Sequence, residues 1–171
     1  IDFIEKIRNK LNKEKLNVFD GFTGSTVVAR ALSSIVSKLH VNDIELYSYL
    51  MSKCYLEIPS IEHQVVIKNH IEKMNQLAVN GPYIEDGIIS TNYAPKDTGD
   101  IQEGERCFYT RENALIIDTL RHYISSEVEE ELQVYCLVPL LNRASIHTNT
   151  AGVFKGFYKD SDGVGKFGGQ G

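Results

Sequence analysis

The stretch Asp20-Gly21-Phe22-Thr23-Gly24-Ser25-Thr26 constrains the fold more than any other part of the sequence. It follows a short apolar run, Val18-Phe19, and precedes Val27 to Ile35, whose spacing reads as helix. A small-residue turn between a strand and a helix lets a ligand approach the backbone closely. It also aims the free N–H groups of the helix N-terminus at that ligand, which favours carboxylate or phosphate. Val36 to Val41 reads as a second strand closed by Asn42-Asp43, and Ile44 to Tyr55 returns to helical spacing. Residues 1–16 carry Ile1, Ile4, Ile7 and Leu11 at helical spacing ahead of the first strand. The order helix, strand, helix, strand, helix predicts a βαβ unit with parallel strands.

Asp43 ends the second strand about twenty residues beyond the turn, a position suited to accepting hydrogen bonds from a ribose diol. The spacing has a plain structural reading too, in which Gly24 serves the turn and Asp43 caps the helix at Ile44. Neither G-x-G-x-x-G nor G-x-x-x-x-G-K-[ST] occurs, so phosphate-anchored cofactors are disfavoured.

Beyond residue 58 the character changes. Ser60 is placed to cap a helix from Ile61 to about Ala78. Residues 79–106 hold Gly, Asn, Asp, Pro and Tyr with little period, and read as a long excursion with one hairpin. Loops of this length are functional or mobile. Thr110 caps a helix to about Ile124, and Ser126 with Glu129 forms a capping box opening another. Pro139 should kink or break that helix. The tail, 152–171, is glycine-rich. The expected division is therefore an α/β portion over 1–58, a mainly helical region over 59–151 and the tail, within one domain. A chain of 171 residues suffices for one such core.

A net charge of −5 and a pI near 5.5 argue against a protein that only coats nucleic acid. An enzyme gripping DNA through a local basic patch can still be acidic overall. No apolar run approaches ~18 residues, and the start lacks a signal-peptide layout, so a cytoplasmic protein is expected. The opening on Ile1 reads as a trimmed or internal boundary. Cys54, Cys107 and Cys136 are odd in number and lack C-x-x-C spacing, which disfavours disulfides and zinc. No metal site is expected. His63, His70 and His122 read as solvated helix residues. The run Glu127 to Glu131 reads as the acidic first turn of a helix, without a catalytic role. Lys155, Lys159 and Lys166 alternate with Phe154, Phe157 and Tyr158, a pattern suited to phosphate and base contact. It equally suits a glycine-loosened linker.

The run Phe19 to Ser25 resembles the D-x-F-x-G-[ST]-G motif of N6-adenine-specific DNA methyltransferases that use S-adenosylmethionine. Asn42-Asp43-Ile44 is similar to their second motif. Thr91 to Pro95, Arg106 to Thr110, Asn113-Ala114 and Asn149 to Lys159 resemble later blocks of that family. The resemblance implies an incomplete Rossmann-like methyltransferase fold with a largely helical insertion, S-adenosylmethionine as cofactor and double-stranded DNA as substrate. By it, Asp20, Phe22, Thr23, Gly24 and Ser25 line the cofactor site, Asp43 holds the ribose and Ile44 packs on the adenine. Asn149, Lys155 and Lys159 face DNA. Thr26 departs from the pattern, standing where the family has its last glycine. The family's catalytic D-P-P-Y motif does not occur, and Pro59, Pro82, Pro95 and Pro139 are all isolated. The family's first lysine-bearing block is missing as well. The resemblance thus places both ends of the enzyme outside this chain and implies a chain inactive by itself. A reading from another class is a non-catalytic module that binds a nucleoside-like ligand or a partner subunit.

Overall fold

The computed structural model describes residues 2–150 and 155–168, which fall into two compact units, Ile1–Ile61 and Glu62–Gly171. The first unit runs α1 (Asp2–Leu11), β1 (Asn17–Asp20), α2 (Val27–Ser33), β2 (Lys38–Val41) and α3 (Leu46–Leu56). The strands pair in parallel, with Asn17 opposite Lys38 and Asp20 opposite Val41, as the alternation of elements predicts. They are the whole sheet among the described residues. Side chains alternate across it: Val18, Leu39 and Val41 are partly covered, while Phe19 and His40 are exposed. The second strand begins two residues later than its apolar run suggests. Val36 N–H donates to Leu32 carbonyl at 3.2 Å and Ser37 N–H to Leu16 carbonyl at 2.8 Å. The first bond closes the end of α2, the second ties residue 37 to the segment ahead of β1, and Val36 is buried ahead of the strand.

The second unit holds α4 (Ile61–Asn80), α5 (Ile88–Asn92), α6 (Arg111–Glu127) and α7 (Gln133–Ile146). Its core gathers Met74 of α4, Ala114, Ile117 and Leu120 of α6, and Cys136 and Leu140 of α7. Thr110 caps α6, its Oγ1 accepting the Asn113 N–H at 3.2 Å. The capping box expected at Ser126 does not form. Ser125 and Ser126 hydroxyls instead donate back to the His122 carbonyl, and α6 continues to Glu127. The helix ends because Val128 turns to an extended conformation and buries its side chain. The acidic run therefore links α6 to α7 rather than opening a helix. His70, expected to be solvated, packs instead, with Nδ1 2.9 Å from the Tyr123 hydroxyl and Nε2 3.4 Å from Glu129. His63 stands 3.6 Å from Glu131. Pro139 lies inside α7 without ending it.

The excursion contains α5 and turns in place of the expected hairpin, and α6 pins it down. Buried Asp118 accepts the Ile89 N–H at 3.0 Å and the Ser90 N–H at 2.7 Å, closing the N-terminus of α5. Thr119 Oγ1 accepts the Ile84 N–H at 2.9 Å and donates to the Leu115 carbonyl at 2.8 Å. Arg111 donates to the Ser90 and Glu85 carbonyls and pairs with the Glu85 carboxylate at 3.2 Å. In the tail, Lys159 and Gly165 form an antiparallel bridge. Among the described residues no helix is long and apolar enough to cross a membrane.

Candidate functional site

The turn between β1 and α2 is built by backbone bonds across the two strand ends. Asn42 N–H donates to Asp20 carbonyl at 2.9 Å, and Thr23 N–H donates to Asn42 carbonyl at 3.0 Å. The buried Thr23 hydroxyl lies 3.2 Å from both the Asp20 and Asn42 carbonyls. Asp20 Oδ1 accepts the Phe22 N–H at 3.3 Å, an Asx-type turn. Asp20 and Thr23 thus shape the turn through its own backbone.

Asp43 reaches across from the end of β2. Its Oδ2 accepts the Gly24 N–H at 2.8 Å, and its Oδ1 accepts the Glu45 N–H at 3.0 Å. The Glu45 N–H and then the Gly24 N–H hold this carboxylate below its ordinary range. A carboxylate carries about four lone-pair sites, so each oxygen keeps acceptor capacity for a further donor. Beneath the turn the buried Ser48 of α3 donates its hydroxyl to the Gly24 carbonyl at 2.7 Å. Sequence reasoning missed Ser48, which looks like any helix serine; its only signal is its place on the Leu46–Leu56 helix that follows Asp43. Beside these polar groups the side chains of Phe22 and Ile44 are 94% and 96% exposed. Ser25 is exposed as well. Five predicted turn residues, Asp43 and Ile44 are thereby brought together in the first unit.

Thr26, where the resembled motif has glycine, is buried and sits at φ 66°, ψ 6°. A β-branched residue is strained in that left-handed region. Replacing it tests the strain. Thr26→Gly is expected to be more stable than Thr26→Ala by about 1 kcal/mol, because alanine keeps the clashing Cβ and glycine does not. Urea unfolding followed by circular dichroism compares the two, and equal midpoints would mean the turn relaxes around a Cβ.

The predicted DNA-facing residues lie in the second unit. Both amide hydrogens of Asn149 are used internally, by the Cys107 and Lys166 carbonyls at 2.8 Å each. Asn149 therefore staples the tail to residues 107–108. Lys155 and Lys159 are exposed, and Lys159 Nζ lies 5.3 Å from the Phe157 ring centre. Phe154 lies outside the described residues. Burial pushes the Cys54 and Cys107 thiols up, which keeps them protonated. Among the described residues no group of three His, Cys, Asp or Glu side chains is placed to hold a metal ion.

The local architecture is therefore a parallel strand–turn–helix in which an acid from the end of the next strand closes on the turn's glycine. Two curated relatives, both type II methyltransferases, are similar to the chain over most of its length. M.NlaIII of Neisseria lactamica is 27% identical over 146 residues, 82% of this chain and 40% of that protein. M.CviAII of Paramecium bursaria Chlorella virus 1 is 25% identical over 158 residues, 91% of this chain and 45% of that protein. The chain thus spans less than half the length of each. No family profile matches the chain, and no solved structure matches it.

Proposed function

We propose that this chain carries the cofactor-binding turn of a cytoplasmic, adenine-specific DNA methyltransferase of a restriction–modification system, with S-adenosylmethionine as methyl donor. The observation that carries this reading is the Gly24–Asp43 bond, which fixes a half-buried carboxylate beside the glycine turn. The similarity to type II methyltransferases supports it. The donor set fits the cofactor: Asp43 has acceptor capacity for a ribose diol, and Phe22 and Ile44 offer apolar surface for an adenine ring. The exposed Ser25 stands beside the turn for the methionine portion. The fold proposed is an incomplete Rossmann-like one, with the helical second unit as its insertion.

S-adenosylmethionine supplies an electrophilic methyl group when bound. The residues of this chain bind and orient it: Asp20 and Thr23 hold the turn, Asp43 accepts from the sugar, and Lys155 and Lys159 meet DNA. Transfer to an exocyclic amine also needs an extruded base held by its edge and stacked on an aromatic face. The D-P-P-Y motif that does this in the resembled family is absent from these 171 residues. Binding without turnover is therefore the expected outcome for this chain alone. Calorimetric titration with S-adenosylmethionine should give one site, and a tritiated-methyl assay on duplex DNA should give no transfer. Absence of any binding heat would sink the site, and measurable turnover would show that the catalytic residues lie within this chain.

A further inference from the structure

The second unit holds a row of three aromatic rings with a cation at each end. The Arg106 guanidinium lies 5.9 Å from the Tyr93 ring centre. Tyr93 meets Phe108 edge to face at 5.9 Å, and Phe108 meets Phe157 likewise at 5.2 Å. The Lys159 ammonium closes the row, 5.3 Å from Phe157. The backbone beneath is fixed. Phe108 N–H donates to Tyr93 carbonyl at 3.0 Å, and Asn149 N–H donates to Phe108 carbonyl at 2.7 Å. The Asn149 amide ties Cys107 to Lys166, and buried Gly165 packs against Cys107. A tail that its glycines suggest is loose is in this way held against residues 93–108.

Both cations are exposed, and among the described residues neither is in an ion pair. The acids nearest them in sequence are engaged elsewhere. Glu105 accepts the Lys96 and Gln102 N–H groups, and Asp160 accepts those of Asp162 and Val164. Rings hold a cation near their faces without neutralising it, at a cost far below that of a buried ion pair. The rings themselves are half-buried, and they spend their edges and faces on one another and on the two cations. They are poorly placed to stack on bases.

We infer that Arg106 and Lys159 are a pre-positioned pair of contacts to the sugar–phosphate backbone of double-stranded DNA, blind to sequence, with Tyr93, Phe108 and Phe157 as their support. The inference rests on the DNA-methyltransferase reading and extends it to Arg106, which the resemblance does not assign to DNA, and to the rings that position it with Lys159. Phosphate contacts set register and affinity, while base-edge contacts set sequence choice.

Fluorescence anisotropy with the whole chain and two labelled duplexes of unrelated sequence tests it, at several salt concentrations. Each lost phosphate contact makes the slope of log K against log salt shallower by ~0.9, so Arg106→Gln with Lys159→Gln should remove about 2 from it. Affinity should fall by the same factor for both duplexes, with helix content unchanged by circular dichroism. An unchanged slope in the double variant overturns the inference and leaves the DNA reading standing. A loss confined to one duplex overturns it in favour of base contact. If the wild-type chain binds neither duplex, the inference falls, and an S-adenosylmethionine titration of the same sample decides separately whether the cofactor reading falls with it.

Discussion

A Gly87→Ala variant is expected to lose about 3–5 kcal/mol of the stability of the second unit. A Cβ on Gly87 would overlap the Cγ, Oδ2 and Cβ of Asp118. Neither partner can yield easily. Asp118 is buried on α6, and its two oxygens close the first turn of α5 through Ile89 and Ser90. Overpacking costs ~1–3 kcal/mol, and orphaning buried N–H groups adds ~1–3 kcal/mol more. Urea unfolding by circular dichroism measures the loss. Hydrogen exchange over 84–92 should show the same segment opening first. In an Asp118→Gly background the added methyl should cost far less, because the carboxylate and the Asp118 Cβ, which would also overlap it, are both gone. Equal cost in both backgrounds would refute the close approach as its cause.

That contact also shows what a sequence conceals. Asp118 lies in a helix otherwise marked by apolar period, where an acid reads as solvated, and its partners are 28 and 29 residues away. Nothing local announces such a bond. The same holds for His70, whose ring nitrogen meets Tyr123 across 53 residues, and for Asn149, whose amide serves backbone rather than a base. The capping box at Ser126 fails for a related reason: burial of Val128 decides where the chain leaves the helix, and a local motif cannot weigh tertiary burial. By contrast the parallel pairing of β1 with β2 is legible, because a strand, a short helix and a strand admit few other arrangements. The Gly24–Asp43 pair is legible for the same reason: the crossover length that joins two parallel neighbours also sets their C-terminal ends side by side. The ring row is only half legible. Its basic and aromatic residues stand out in the tail, but Arg106 and Tyr93 lie far from it along the chain.

Asp43→Ala is expected to weaken S-adenosylmethionine binding by ~10–100-fold, the loss of a charged acceptor from a diol. Two effects would combine in that figure. The carboxylate accepts from the ligand, and it also holds the Gly24 and Glu45 N–H groups that fix the turn. Asp43→Asn separates them. Its carbonyl oxygen can keep one backbone bond, while the charge is lost and one oxygen becomes a donor. If the ribose contact dominates, Asn should bind almost as poorly as Ala. If turn geometry dominates, Asn should recover part of the loss, and far-ultraviolet spectra of the Ala variant should change. The pH profile gives an independent check. The two N–H bonds depress the Asp43 pKa, so the charged form and its contribution are complete above the ordinary carboxylate range. They are lost only as pH falls through the lowered folded value. Wild-type affinity should therefore stay flat from neutral pH to about pH 5 and fall in stronger acid. The Ala variant should lack that acid limb. Affinities equal in wild type and Asp43→Ala would remove Asp43 from the site and leave it a strand-end cap that ties β2 to the glycine turn.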